Sequence, residues 1–225
     1  MKNIVLLGTD TLHRRYIINS LKRKKIHIKN VIFEKKKIKP IFEIKPKWYN
    51  LENKFNNQNF FKDLDYDLKN INSFYVDNLN SIKTYNILKK INPDYVIVSG
   101  ARKINDRVLR IIKKKSFNIH LGNALKYRGL DSNLWAIYHR DFNNIGVTIH
   151  RLNGKLDTGN ILAYEKILIQ KDFKPYKLRF YESKLAVKLL AKVIFKLSKK
   201  KIKGKKQDIV GQYYSFMPKV LKDIL

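Results

Sequence analysis

The segment Tyr95-Val-Ile-Val-Ser-Gly100 decides the fold when it is read together with the two elements that follow it. Its short apolar run lies between Asn92-Pro93-Asp94 and a glycine, which is typical of a buried strand. Apolar residues then recur at helical spacing, at Ile104, Val108, Leu109 and Ile112. Phe117-Asn-Ile-His120 returns to a strand pattern. A strand, a helix and a strand of these lengths predict a crossover connection between parallel strands.

The same alternation extends toward the N-terminus. We expect strands at residues 3–8, 31–34 and 74–76, and helices at residues 11–24 and 80–91. This rhythm predicts an α/β fold with a Rossmann-like, doubly wound, mostly parallel sheet. Residues 36–72 do not follow the rhythm, and we expect an insertion there that carries one helix.

The rhythm changes again after His120. The sequence predicts a loop, a short helix near residues 132–139, strands at 145–152 and 160–169, and a long helix near 176–200. We expect residues 1–170 to form the main domain. Residues 171–225 are expected to supply a C-terminal helix and an aromatic tail, Gln212–Pro218, which packs on the same domain or on a partner such as a second copy of the chain.

The charge of the chain is strongly positive. The 225 residues include 49 Lys and Arg against 18 Asp and Glu, for a formal net charge of +31. Because 39 of the 49 cations are lysines and the chain is also rich in Ile and Asn, compositional drift explains the charge better than selection for a basic groove. A field that attracts an anionic substrate is the alternative; sequence-specific reading of nucleic acid follows from neither.

Several classes of function are excluded or disfavoured. The chain contains no cysteine, which excludes thiol catalysis, disulfides and cysteine-based metal sites. Its five histidines are scattered without ligand spacing, so no metal is expected. Neither a dinucleotide fingerprint nor a Walker loop occurs. The N-terminal apolar run is too short for a signal peptide or a membrane span, so we expect a cytoplasmic protein without membrane contact.

Asn118 and His120 are the first candidates for chemistry. They alternate on one face of a strand that runs into a loop, and ligands of doubly wound sheets lie beyond the carboxyl ends of the strands. An amide donates to a developing oxyanion, and an imidazole donates a hydrogen bond or shuttles a proton. The alternative is structural: His120 ties down the loop and Asn118 caps it.

Asp157 adds a carboxylate in the turn Leu156-Asp-Thr-Gly159. It could orient His120, raise the basicity of that imidazole, or hold a water for proton relay. We expect Gly159 to take a backbone conformation that a side chain would oppose. The alternative is an Asx-turn, in which the carboxylate serves only the local backbone.

Four further polar residues have two interpretations each. Arg128 either binds a substrate phosphate or carboxylate or locks its loop by bonding carbonyls, and locking is favoured. His150 lies in the middle of a strand, where it is either a packed, hydrogen-bonded residue, which is favoured, or a catalyst. His13 and Arg14 lie near a helix N-terminus, where they form either a phosphate site or a solvated helix face.

Four motifs in this order resemble a known family. They are Asn118-Ile-His120, Tyr127-Arg-Gly129, Gly146-Val-Thr-Ile-His150 and Leu156-Asp-Thr-Gly159. Together they are similar to the 10-formyltetrahydrofolate-dependent formyltransferases, which act on glycinamide ribonucleotide, methionyl-tRNA or sugar amines. The resemblance runs from the first strand to about residue 169 and is sharpest in residues 117–162.

The resemblance implies a reaction and a set of roles. Asn118, His120 and Asp157 would be the catalytic residues, with the first two stabilising the tetrahedral oxyanion and Asp157 managing the proton. The formyl donor would be 10-formyltetrahydrofolate, without a metal. The folate would lie in a cleft that includes Val98, Gly100, Ile104 and Leu156.

Three departures from the family pattern bear on the acceptor. The loop Leu121–Lys126 lacks the prolines common in the family, the glycine-rich phosphate loop is missing after the first strand, and no C-terminal barrel follows before Leu225. By elimination, the expected acceptor is the amine of a nucleotide-linked sugar, bound by Arg128, His13 and Arg14. One alternative is a methionyl-tRNA formyltransferase whose charge replaces the missing domain. Another is a folate- or nucleotide-binding module that has lost catalysis.

Overall fold

The computed structural model describes residues 2–36, 39–62, 67–199 and 202–225. Its strands are β1 (Ile4–Gly8), β2 (Ile28–Glu34), β3 (Asn72–Val76), β4 (Tyr95–Ser99), β5 (Ser116–His120), β6 (Tyr127–Gly129), β7 (Gly146–Arg151), β8 (Ile161–Lys166) and β9 (Gln212–Tyr214). Its helices are α1 (Leu12–Arg23), α2 (Tyr49–Phe60), α3 (Ile82–Ile91), α4 (Asp106–Ile112), α5 (Ser132–Tyr138), α6 (Leu178–Lys199) and α7 (Lys219–Lys222).

Seven of these described strands form one sheet in the order β3-β2-β1-β4-β5-β7-β8. The first five pair in parallel, and β7 and β8 continue the sheet antiparallel at one edge. The predicted doubly wound, mostly parallel sheet is therefore confirmed. The order places the switch point, where successive strands reverse their direction of progress across the sheet, between β1 and β4.

The sheet is covered on both faces, which explains why its central strands are continuous apolar runs. Side chains alternate along β1: Leu6 packs with residues of α1 and α6, whereas Val5 and Leu7 pack with residues of α3 and α4. All three are fully buried. A third, smaller apolar cluster lies around α5 and the C-terminal tail and includes the fully buried Met217.

The boundaries differ from the predicted ones in a few places. Strand β2 begins at Ile28, three residues before the prediction, and β8 ends at Lys166 rather than 169. The long helix begins at Leu178, after a single 3₁₀ turn at Pro175–Lys177. Its predicted end at residue 200 lies outside the described residues. The insertion carries the one expected helix, α2.

The C-terminal part of the chain returns to the sheet. Helix α6 buries Leu190 and Val193 in the cluster that also contains Leu6. Strand β9 pairs in parallel with β6 to form a separate two-stranded sheet. Among the described helices, none has the length and apolar character needed to cross a membrane.

Candidate active site

Strands β5 and β7 assemble the polar site through their register. They pair antiparallel, with Asn118 opposite His150 and His120 opposite Thr148. Directly opposed residues point to the same face of a sheet. The intervening Ile119 and Ile149 face the other way, into the apolar core. Two adjacent strands thus bring an amide and two imidazoles to one face.

Asp157 completes the group from the turn between β7 and β8. Its Oδ1 accepts a hydrogen bond from Asn118 Nδ2 at 3.2 Å and lies 3.3 Å from His150 Nε2. Its Oδ2 lies 3.5 Å from His120 Nδ1. The three residues predicted to be catalytic are therefore neighbours, and His150 is a fourth member of the cluster.

The backbone of the turn differs from the expectation at one residue. The left-handed residue is Asp157 itself, with φ of 53°. Gly159 is instead required for space, because a Cβ there would lie 1.7 Å from the carbonyl oxygen of Arg151. Asp157 Oδ2 also accepts a hydrogen bond from Gly129 N–H at 2.9 Å. The carboxylate thus joins two loops, which an Asx-turn confined to its own backbone would not do.

Protonation states follow from burial and from the hydrogen-bond partners. His120 Nε2 donates to the carbonyl of Tyr127 at 2.7 Å, which leaves Nδ1 as the acceptor of the neutral ring. Burial lowers the pKa of His120, although Asp157 opposes that shift. Burial alone would raise the pKa of Asp157, but the positive charge that His120 carries in acid, the contact with His150 and the Gly129 N–H hold it well below its ordinary value. A carboxylate therefore faces a neutral imidazole.

His150 orients Asn118. Its Nδ1 donates to the carbonyl of Arg151 at 2.8 Å, so its Nε2 accepts from Asn118 Nδ2 at 3.2 Å. Both hydrogens of the Asn118 amide are then directed at His150 and Asp157. An oxyanion bound by this amide would have to replace one of those two partners. His150 is packed and hydrogen-bonded, as predicted, but its partners belong to the site.

Arg128 makes the contacts of a loop lock. Its Nε donates to the carbonyl of Gly211 at 2.6 Å, and its Nη1 donates to the carbonyl of Leu156 at 3.3 Å. These bonds match the favoured interpretation from the sequence. Substrate binding by Arg128 would have to use donors beyond these two.

The loop at residues 121–126 is ordered without proline. Asn123 Oδ1 accepts from Leu125 N at 3.1 Å, and the Asn123 carbonyl accepts from Tyr127 N at 2.8 Å. Thr148 Oγ1 donates to the carbonyl of Gly122 at 2.6 Å and accepts from Ala124 N at 3.2 Å. These four hydrogen bonds hold the loop in place without a proline.

Arg14 is buried at the switch point between β1 and β4, not on a solvated helix face. Its guanidinium donates to the Thr9 carbonyl at 3.0 Å, Thr11 Oγ1 at 2.9 Å and Ser99 Oγ at 3.3 Å. No hydrogen bond of its Nη2 occurs within the residues that the structure describes. Burial, with the nearby Arg179 cation, lowers the pKa of Arg14 to about 9. Burial and the cations Arg14 and Arg179 also lower the pKa of His13.

The four residues predicted to line the folate cleft differ in their exposure: two are buried and two are exposed. Val98 and Ile104 are buried in the cluster below the carboxyl ends of the strands, so they form a floor. Gly100 and Leu156 are exposed. No group of three or more potential metal ligands is present in the described part of the chain.

Replacing Gly100 with alanine is expected to destabilise the fold by at least about 2 kcal/mol. Gly100 has φ of 57°, and a Cβ there would lie 1.7 Å from Arg14 Nη2. The substitution therefore combines a strained backbone with displacement of a buried guanidinium. Urea unfolding measures the loss. Gly154→Ala is the matched control, because a Cβ at Gly154 meets nothing within 4 Å; equal losses in both variants would contradict the explanation.

The sheet and the polar cluster define a doubly wound domain with a buried amide, imidazole and carboxylate grouped at the carboxyl end of β5. A family model described as formyl transferase matches residues 1–194. The chain belongs to the formyl transferase family.

Named relatives differ in their acceptors. Over 149 residues the chain is 29% identical to a methionyl-tRNA formyltransferase of Finegoldia magna, covering 64% of this chain and 48% of that protein. Over 131 residues it is 32% identical to the GDP-perosamine N-formyltransferase of Brucella melitensis, covering 58% of this chain and 50% of that protein. The chain spans about half the length of these curated relatives.

Solved structures share the fold at low identity. Glycinamide ribonucleotide transformylase 1 from Symbiobacterium toebii superposes with a TM-score of 0.66 at 17% identity, over 93% of this chain and 94% of that one. HypX from Aquifex aeolicus, crystallised with tetrahydrofolic acid, superposes with a TM-score of 0.65 at 16% identity. The match covers 98% of this chain and 30% of the HypX chain.

Proposed function

We propose that this chain transfers a formyl group from 10-formyltetrahydrofolate to a primary amine. The observation that carries the proposal is the contact of Asp157 with Asn118 and His120 at the carboxyl end of β5. The family match supports the same reaction class. These three residues are the catalytic residues of the proposal, and His150 is a positioning residue for Asn118.

In the proposed reaction, the amine nitrogen bonds to the formyl carbon and the bond from that carbon to N10 of the folate breaks. The amine loses one proton and N10 gains one, so atoms and charge balance. The neutral Nδ1 of His120 is suited to accept the proton because the ionised Asp157 lies 3.5 Å away and would stabilise the imidazolium. Asn118 would turn one N–H from its present partners toward the oxyanion.

The folate donor is proposed to lie along Gly100 and Leu156, above the floor of Val98 and Ile104. The carbonyls of Leu156 and Asp157 already accept hydrogen bonds from Arg128 and Gln207. The turn would therefore contribute shape and apolar surface to the folate site, while its carbonyls hold the turn in place. The folate itself supplies an activated formyl group.

The proposed acceptor is an amino sugar linked to a nucleotide. Arg14 Nη2 and His13 lie near the switch point, where a doubly wound sheet binds ligands. A buried guanidinium with a nearby second cation, Arg179, favours an anion such as a phosphate. The similarity to GDP-perosamine N-formyltransferase supports the same class of acceptor.

Methionyl-tRNA is the second candidate acceptor, favoured by the charge of +31 and by the methionyl-tRNA formyltransferases among the relatives. Phosphate contacts make such binding strongly dependent on salt. Formylation of charged initiator tRNA should therefore fall at least about tenfold between 50 and 200 mM salt, whereas turnover of a small sugar nucleotide should fall much less.

The decisive experiment incubates the chain with 10-formyltetrahydrofolate and a panel of acceptors: GDP-perosamine, other nucleotide-linked amino sugars and charged initiator tRNA. Asn118→Ala and Asp157→Ala are included. Turnover of a sugar nucleotide that both substitutions remove would support the proposal. Full activity in both variants would refute the catalytic assignment, and folate binding without any transfer would support a binding module instead.

A further inference from the structure

The turn that carries Asp157 is held from outside by the C-terminal tail. Gln207 donates from Nε2 to two carbonyls of the turn, that of Asp157 at 2.9 Å and that of Gly159 at 2.7 Å. Both carbonyls lie on the C-terminal side of the Cα atom of Asp157, the left-handed residue of the turn. A single half-buried amide thus fixes the backbone on which the carboxylate is mounted.

The tail is anchored on both sides of Gln207. Before it, Lys205 and Ile161 exchange two backbone hydrogen bonds, at 2.7 and 2.8 Å. After it, Gln212 N donates to the carbonyl of Lys126 at 2.9 Å, where β9 begins to pair with β6. The stretch of the tail from Lys205 to Gln212 therefore joins the Asp157 turn to the loop that leads to Gly129.

The tail also approaches the loop that ends at Lys126. At Gly211 the approach is too close for any side chain. A Cβ on Gly211 would lie 2.7 Å from the backbone carbon of Lys126. The Gly211 carbonyl also accepts the 2.6 Å bond from Arg128, whose other bond reaches Leu156. The tail and Arg128 thus connect the turn that carries Asp157 to the segment that carries Gly129, and these two segments contact each other at the Asp157 carboxylate.

We propose that Gln207 is a positioning residue that sets the place of the Asp157 carboxylate between Gly129 and His120. Asp157 adopts a left-handed backbone conformation, which is uncommon for residues other than glycine, and the bonds from Gln207 and Gly129 N–H hold the residue in that conformation. Without the amide of Gln207, the turn relaxes and the carboxylate loses its bond to the Gly129 N–H. The inference rests on the proposed function only for its effect on catalysis.

The test compares Gln207→Ala and the isosteric Gln207→Glu with Asn160→Ala. Asn160 is the matched control, because its side chain donates to the tail at the carbonyl of Lys203 and not to a carbonyl of the Asp157 turn. The first readout needs no ligand: the exchange rate of the Gly129 amide, followed by NMR. The second is kcat and KM with 10-formyltetrahydrofolate and GDP-perosamine, or whichever acceptor of the panel is turned over.

Both Gln207 variants are expected to exchange the Gly129 amide at least about fivefold faster than the parent chain and to lower kcat about tenfold with little change in KM. Asn160→Ala should match the parent in both readouts. Unchanged Gly129 exchange would overturn the inference, and so would faster exchange with an unchanged kcat. If the parent chain shows no transfer to any acceptor, the proposed function fails, and Gly129 exchange alone decides whether Gln207 holds the turn.

Discussion

Asp157→Asn is expected to lower kcat by about a thousandfold while leaving the fold intact. The asparagine has the shape of the aspartate and retains an oxygen for the Gly129 N–H, while its amide nitrogen replaces the oxygen that accepts from Asn118 Nδ2. It removes the negative charge beside His120 Nδ1, so an imidazolium formed there is no longer stabilised. Steady-state kinetics with the accepted amine measure the loss, and Asp208→Asn, at an exposed position, is the control.

The acid dependence of stability shows whether the substitution removed a functioning carboxylate. The pKa of Asp157 lies below its ordinary value in the folded protein. The charge therefore contributes stability above the unfolded-state pKa of about 4, and this contribution is lost as the pH falls through the folded-state pKa. The stability advantage of the parent over Asp157→Asn should thus shrink between pH 7 and pH 3 in urea unfolding. Parental kcat in the variant would refute the proton role.

Asn118→Ala is expected to lower kcat by roughly a hundredfold to a thousandfold with a much smaller change in KM, as for removal of one oxyanion donor. The substitution also leaves His150 Nε2 without its donor at 3.2 Å. Single-turnover measurements with prebound folate separate the chemical step from binding.

Asn59→Ala is the control for Asn118→Ala, because the Asn59 amide donates to the carbonyl of Phe55 in its own helix and makes no other hydrogen bond among the described residues. An increase in KM with an unchanged kcat would indicate that Asn118 binds the acceptor without stabilising the transition state. Loss of folding cooperativity in Asn118→Ala alone would assign the residue a structural role.

The local sequence pattern was sufficient to predict the strands of the sheet. It also predicted that Asn118 and His120, two of the four residues of the polar cluster, share a face. Apolar runs mark β1 and β4 because strands covered on both faces are apolar throughout. The spacing of Asn118 and His120 predicts a shared face because side chains alternate along any strand. Neither inference requires knowledge of what lies beside the strand.

His150 shows where local pattern ends. Its place in the site depends on β7 pairing antiparallel with β5 in the register that opposes it to Asn118. Shifting that register by one residue would send its side chain to the opposite face. The motif around His150 was visible in the sequence, but its partner was not.

The burial of Arg14 was likewise a tertiary outcome. A basic residue in the first turn of a helix is usually solvated. Here the guanidinium of Arg14 instead donates to Ser99 at the end of β4 and packs against Gly100, which has no side chain to exclude it. A residue 85 positions away supplies the hydrogen bond. Helical periodicity carries no information about such a neighbour.

The sequence by itself determined the alternating strands and helices, the placement of Asn118 and His120 on one face, and a carboxylate in a tight turn. The tertiary structure alone decided that Asp157 is left-handed, that His150 joins the cluster and that a tail some fifty residues later holds the turn through Gln207. The physical reason is the distance along the chain over which each kind of interaction acts. Periodicity and turn chemistry act over a few residues, whereas these contacts exist only after distant segments have paired.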